Sequence, residues 1–312
     1  MKRFTRDHPV SAFLVIAFGF TALVFAIPLM SQIGLGLLPI ELPGVAPFIV
    51  LASVGLTAAA FLVTVAVDGG HGVTELRRRM FRFGVNPIWF PVALVLLPLT
   101  ALATTVIALG SDPVSNLAAN PGLLVTILVE ALIAFVLVNW WEETAWTGFA
   151  LHRLQPRIGP IRASILTTWM QATVHLPLIF VVDGVTTGRV ETADIPLYLG
   201  ALFVLPITVR LIITWIYNSA NNSIPVVGLF HAGLGVATGA TLIPAVAPGF
   251  DTVWVYAGFA LVAAIVLALS GGRLGYLPED ISPFDDPTQT TRIETQAASL
   301  AFQAETHEAR LQ

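Results

Sequence analysis

The chain contains no cysteine. A cysteine nucleophile, a thiolate metal site and a disulfide framework are thereby excluded. Charge is nearly as scarce. Only 11% of the 312 residues are charged, where a soluble domain carries about a quarter. With 56% of its residues hydrophobic, this is the composition of a polytopic membrane protein. So few basic residues in so apolar a chain also rule out nucleic acid as a serious partner. The net charge of −4 says little, because the charges are unevenly placed. No internal repeat is visible, which counts against a transporter built from duplicated halves.

Several proteolytic signatures are missing too. No His-Glu-x-x-His occurs; His307-Glu308-Ala309-Arg310-Leu311 begins that way but ends in leucine. Asp68, Asp183 and Asp194 fall at loop edges, so no pair of membrane aspartates exists. Ser270 sits at the end of an apolar run with no histidine suitably placed, which argues against a serine protease.

What is present is a series of long apolar runs. The first, from Val10 to about Met30, follows a short basic stretch and resembles a signal peptide. It is long enough to cross ~30 Å of hydrocarbon and lacks a clear cleavage site, so it is read as an uncleaved span. Seven more runs are expected at 45–67, 87–109, 122–146, 161–182, 194–217, 224–246 and 252–270. Each is continuously apolar rather than alternating, so the fold class is all-α, a transmembrane helix bundle of about eight spans. Thirteen of the 15 basic residues fall on one side of this arrangement, which places both termini in the cytoplasm by the positive-inside rule. Only Arg189 falls on the other side, and Arg210 lies inside a span. The chain divides into an N-terminal three-span region (1–121), a core (122–246), a last span (247–276) and an acidic, proline-containing tail (277–312) expected to be disordered.

The polar residues inside the spans carry the functional signal. Trp140-Trp141-Glu142-Glu143-Thr144-Ala145-Trp146-Thr147-Gly148-Phe149 ends the fourth run. A carboxylate at membrane depth costs roughly 2.5–3.5 kcal/mol on insertion scales, and here two are adjacent. Asn139 lies three and four residues before them, on the same broad face. The helix runs toward the cytoplasm and is expected to continue a turn or two beyond the glutamates. Glu130 belongs to another depth and is expected to snorkel or pair locally. The fifth run carries Thr168, Gln171 and His175 as a polar stripe, the sixth Arg210, and the seventh His231. Gly228, Ala232 and Gly235 on the seventh read as small residues for close helix packing. Glutamates and histidines on three spans have the residue types for amide hydrolysis without a protein nucleophile: a carboxylate to activate water, and histidines to orient it, hold a metal or serve an oxyanion.

The order of these elements resembles the CPBP family, the CAAX-protease and bacteriocin-processing (Abi) intramembrane endopeptidases. The resemblance covers roughly residues 122–240. It rests on Glu142-Glu143 with Gly148-Phe149 and Arg153-Leu154, then Gln171 to His175-Leu176-Pro177, then Ser223-Ile224-Pro225 leading to His231. It implies that Glu142 activates the hydrolytic water, that Glu143 and His175 help position it, and that His231 completes the site. If a divalent metal such as Zn²⁺ takes part, His175 and His231 are its candidate ligands. The implied substrate is a membrane-anchored peptide or protein held at the lipid bilayer, cut near the cytoplasmic leaflet. Thr147, Gln171 and Gly235 stand where the family usually has arginine, phenylalanine and asparagine. Arg210 is expected to supply the charge missing at Thr147. Two other readings compete: a catalytically inactive membrane scaffold or bacteriocin-immunity-type protein, and a small transporter using the glutamates as proton carriers.

Overall fold

The computed structural model describes residues 2–184, 190–239 and 241–277. Arg189 and the tail beyond Leu277, for which disorder and a weak helix at 291–311 are expected, lie outside the described residues. Eight helices carry the architecture. These are α1 (Pro9–Met30), α2 (Ala46–Met80), α3 (Trp89–Leu109), α4 (Gly122–Ile158), α5 (Pro160–His175), α6 (Ile195–Ser219), α7 (Ile224–Thr238) and α8 (Val255–Leu269). Among the described residues, six segments are long and apolar enough to cross a membrane: α1 to α4, Thr192–Ser219 containing α6, and Thr252–Leu269 containing α8.

The other two, α5 and α7, have 16 and 15 residues. At 1.5 Å per residue they are ~24 and ~22 Å long, short of the ~30 Å hydrocarbon thickness. Both stop earlier than the apolar pattern implies, for local reasons. Pro177 follows His175 by two residues, and the chain tightens there into a 3₁₀ turn, Leu176–Phe180. Proline cannot continue the α-helical ladder. Past Thr238, Gly239 is extended, and a separate short helix, Leu242–Val246, follows.

Two further departures matter for the site. The second helix does not end near residue 67. Gly69 takes φ 63° and ψ −154°, a conformation open to glycine, and the chain turns into a second helical limb ending at Met80. That limb returns to the bundle. The Met80 carbonyl accepts from Trp140 Nε1 at 2.8 Å, and Arg79 lies 2.9 Å from His152 Nε2. The fourth helix also runs on for 15 residues beyond Glu143, to Ile158, so the glutamates sit in its interior. Arg153 pairs there with Asp68 and stacks over Phe149.

Helix α4 is not uniform. Two π-helical turns, Phe135–Asn139 and Trp146–Leu151, flank the α-helical Trp140–Ala145. Trp140 is clamped by aromatic contacts with Phe135, Phe81 and Phe83. Thr57 of α2 donates to the Trp141 carbonyl at 2.5 Å. Gly228 of α7 faces the Trp140 backbone so closely that an added Cβ would lie 3.1 Å from its Cα. The turn bearing the two glutamates is thus held from α2, α7 and the 81–83 stretch together.

Candidate active site

Glu143 is fully buried, and every polar side chain that reaches it is engaged. Arg210 of α6, 3% exposed, places Nη1 2.8 Å from Oε2 and Nη2 3.1 Å from Oε1. His231 of α7 sits with Nδ1 2.8 Å from Oε1. Thr147, one turn along α4, donates its hydroxyl to Oε2 and accepts from Arg210 Nη1 at 2.9 Å. A fork of two parallel N–H···O bonds is the strong geometry for an arginine–carboxylate pair. It is the arrangement that lets two charges remain in an apolar bundle.

Glu142 has a different environment. Ser53 of α2 lies 3.3 Å from its Oε1 and Gln171 Nε2 lies 3.3 Å from its Oε2. Both contacts are long, both partners are neutral, and no cation pairs with it among the described residues. Gln171 links the two carboxylates, because its Oε1 accepts from Arg210 Nη2. A phenylalanine at 171 has no polar atom with which to make that link. Ser53 and Thr57 were not among the residues the sequence singled out. Their spacing of four on one face of an apolar run was the available signal.

Among the described residues, His175 makes no hydrogen bond to either glutamate. Its Nδ1 lies 2.8 Å from the Gln171 carbonyl, and it lines a cavity of about 330 Å³ with Asn139, Gln171, Arg210 and His231. In each neutral ring the bonded Nδ1 carries the proton, which makes Nε2 the acceptor. Asn139, 8% exposed, brings an amide to the same cavity. From this polar end the cavity extends past Leu202, Thr238 and Tyr256 to Gly184. By helix direction, that is away from the arginine-bearing connections at 153–162.

Residues 124–237, which hold this whole constellation apart from Ser53, match the family described as type II CAAX prenyl endopeptidase Rce1-like. A protein from Methanococcus maripaludis described as CAAX prenyl protease 2 is 27% identical over 181 residues, 55% of this chain and 66% of that relative. Over these residues the chain is similar to the CAAX prenyl endopeptidase family. Its apolar helices make it a multi-pass integral membrane protein.

Two positions at which the resemblance expects another residue have a definite setting in the structure. At Thr147 a hydroxyl stands where a guanidinium is expected, and Arg210 brings its charge to Glu143 from a different helix. At Gly235 the backbone has open space, with nothing within 4 Å of where a Cβ would stand. The packing role expected for Gly235 therefore falls instead to Gly228. Glu130 meets Thr241, which donates to it at 2.9 Å.

The donor set does not fit a divalent metal. Among the described residues no three His, Asp or Glu side chains are grouped to hold one. Both oxygens of Glu143 face a guanidinium, and a dication beside that guanidinium would be repelled. His175 and His231, the expected ligands, keep Nε2 as an acceptor, but no third His, Asp or Glu is grouped with them among the described residues.

Proposed function

We propose that the chain is an intramembrane endopeptidase of the CAAX-protease type, cutting a peptide bond in a membrane-anchored peptide or protein. The observation that carries this reading is the division of labour between adjacent carboxylates. Glu143 is bound up in an ion pair and serves as the anchor of the constellation. Among the described residues Glu142 makes two long hydrogen bonds, both to neutral groups, and is the carboxylate with capacity to spare for water.

In this scheme a water held by Glu142 gives up a proton to that carboxylate as it attacks the scissile carbonyl. The same proton then passes to the departing amine, which balances the reaction. The Nε2 atoms of His175 and His231 accept from the water or from the incoming amide and so fix orientation. The Asn139 amide is a donor on the cavity wall for the developing oxyanion, where one such donor is worth roughly 10²–10³-fold in rate. Arg210 acts through Glu143, balancing its charge and fixing its oxygens so that His231 keeps its Nδ1 proton on that side.

The test uses the full chain in liposomes with lipid-anchored reporter peptides read by mass spectrometry. Cleavage that is lost in Glu142→Gln supports the reading. Cleavage that persists in Glu142→Gln overturns the assignment of the base. A folded parent chain that cuts none of a broad reporter panel favours the inactive scaffold, for which the buried Glu143–Arg210 pair would be a packing device.

A further inference from the structure

We propose that Ser53 is a positioning residue for Glu142, its hydroxyl holding one carboxyl oxygen in both protonation states through which a general base passes. This rests on the endopeptidase reading. Ser53 lies on α2, outside the matched residues 124–237, and is fully buried. A buried carboxylate needs donors, and among the described residues two reach Glu142. Ser53 Oγ lies 3.3 Å from Oε1, and Gln171 Nε2 lies 3.3 Å from Oε2. A donor on each oxygen fixes the plane of the group.

The two donors differ in freedom. A guanidinium only donates, so the Gln171 oxygen must face Arg210, and the amide nitrogen is left committed to Glu142. The Ser53 hydroxyl has a second acceptor, the Ile49 carbonyl one turn back on α2 at 2.8 Å, and its single proton can turn to either. A bond to that carbonyl alone would satisfy a serine with only a packing role. The register of α2 against α4 gives Ser53 more. Thr57, one turn further along α2, donates to the Trp141 carbonyl at 2.5 Å. Helix α2 thus meets residues 141 and 142 at two successive points of one face.

The rotor matches the proposed chemistry. While Glu142 is charged, the hydroxyl donates to Oε1. When Oε1 carries the proton taken from water, the hydroxyl turns to Ile49 and its lone pair accepts from the acid. Ser53 keeps its own proton throughout, and only the direction of the hydrogen bond reverses. The carboxyl group therefore stays in place between taking the proton and passing it to the departing amine.

The experiment changes the hydroxyl and keeps the outline of the side chain. Ser53→Thr retains it, and Ser53→Val has the same shape without it. For a lipid-anchored reporter, kcat is expected to be about tenfold lower in Ser53→Val than in Ser53→Thr, with KM and the thermal melt alike in the two. Ser53→Ala, which adds no branch to the packing, is expected to show the same loss against the parent. Equal kcat within both comparisons overturns the assignment. A second readout needs no cleavage. The infrared carboxylate band that disappears in Glu142→Gln is expected to shift in Ser53→Ala. An unmoved band overturns the role of Ser53, whereas a parent chain that cuts no reporter but shows the shift counts against the endopeptidase reading instead.

Discussion

Arg210 and Glu143 come from helices separated by 67 residues of chain and meet in a two-point ion pair, with Nη1 2.8 Å from Oε2 and Nη2 3.1 Å from Oε1. Neither side chain is more than 3% exposed. Each charge is tolerable because of the other, so the pair couples the fold of α4 to that of α6.

Removing one member should therefore be worse than removing both. Breaking a buried ion pair from one side costs about 3–5 kcal/mol. Arg210→Gln is expected to lower the melting temperature of the detergent-solubilised chain by about 10 °C. Glu143→Gln combined with Arg210→Gln is expected to recover at least half of that loss. Additive losses in the thermal melts would mean the two charges are not coupled.

The two glutamates should also separate experimentally. Glu142→Gln keeps the shape of a side chain with neutral neighbours, so its melt should stay close to that of the parent while reporter cleavage falls at least about 100-fold. Glu143→Gln leaves Arg210 buried without its counter-charge and should lose stability as well as activity. The opposite pattern, with Glu142→Gln the less stable protein, would reverse the assignment of anchor and base.

Chelation addresses the metal directly. With the Glu143 oxygens facing Arg210 and no third donor grouped with the two histidines among the described residues, treatment with a strong zinc chelator is expected to change the cleavage rate by less than twofold. A tenfold loss restored by added Zn²⁺ would show that the histidines rearrange to bind it.

The side from which the cavity is entered can be mapped by single cysteines, since the parent chain has none. If the arginine-rich connections face the cytoplasm, as the positive-inside rule leads one to expect, Leu202→Cys and Thr238→Cys should react with a membrane-impermeant maleimide in right-side-out vesicles, and Arg157→Cys should not. Labelling of position 157 alone would invert the topology and return the cavity to the cytoplasmic side.

Much of this arrangement was legible in the sequence, because charges in an apolar chain are few and each one needs a partner. Glu142, Glu143, His175, His231 and Arg210 could be named from that scarcity, and a threonine at 147 where the resemblance expects an arginine pointed to Arg210 as the source of the charge. What was not legible depends on tertiary contact. The second limb of α2 follows from one glycine conformation at Gly69 and from the Trp140 indole reaching Met80. Ser53 looks like any serine in a span until Glu142 packs against it. Gly228 and Gly235 are the same residue type on the same helix. Only the presence of Trp140 behind one, and of nothing behind the other, separates a packing glycine from a vacant one.

The π turns on either side of the glutamate pair have a consequence for how this segment can change. A π turn holds more residues than an α turn, and each residue along a helix advances the azimuth by about 100°. The direction in which Glu142 and Glu143 point is therefore a running phase, set by how many residues lie between Phe135 and Leu151 as much as by which ones. Substitutions in this stretch leave the phase alone. Deleting a residue of a π turn, such as Leu137, would let that turn rewind to α and leave the direction of the glutamates nearly unchanged, whereas inserting one into a turn that already holds its extra residue would swing a carboxylate off its partners by about 100°. The motif behaves like a combination dial, on which the count of clicks matters as well as the marks.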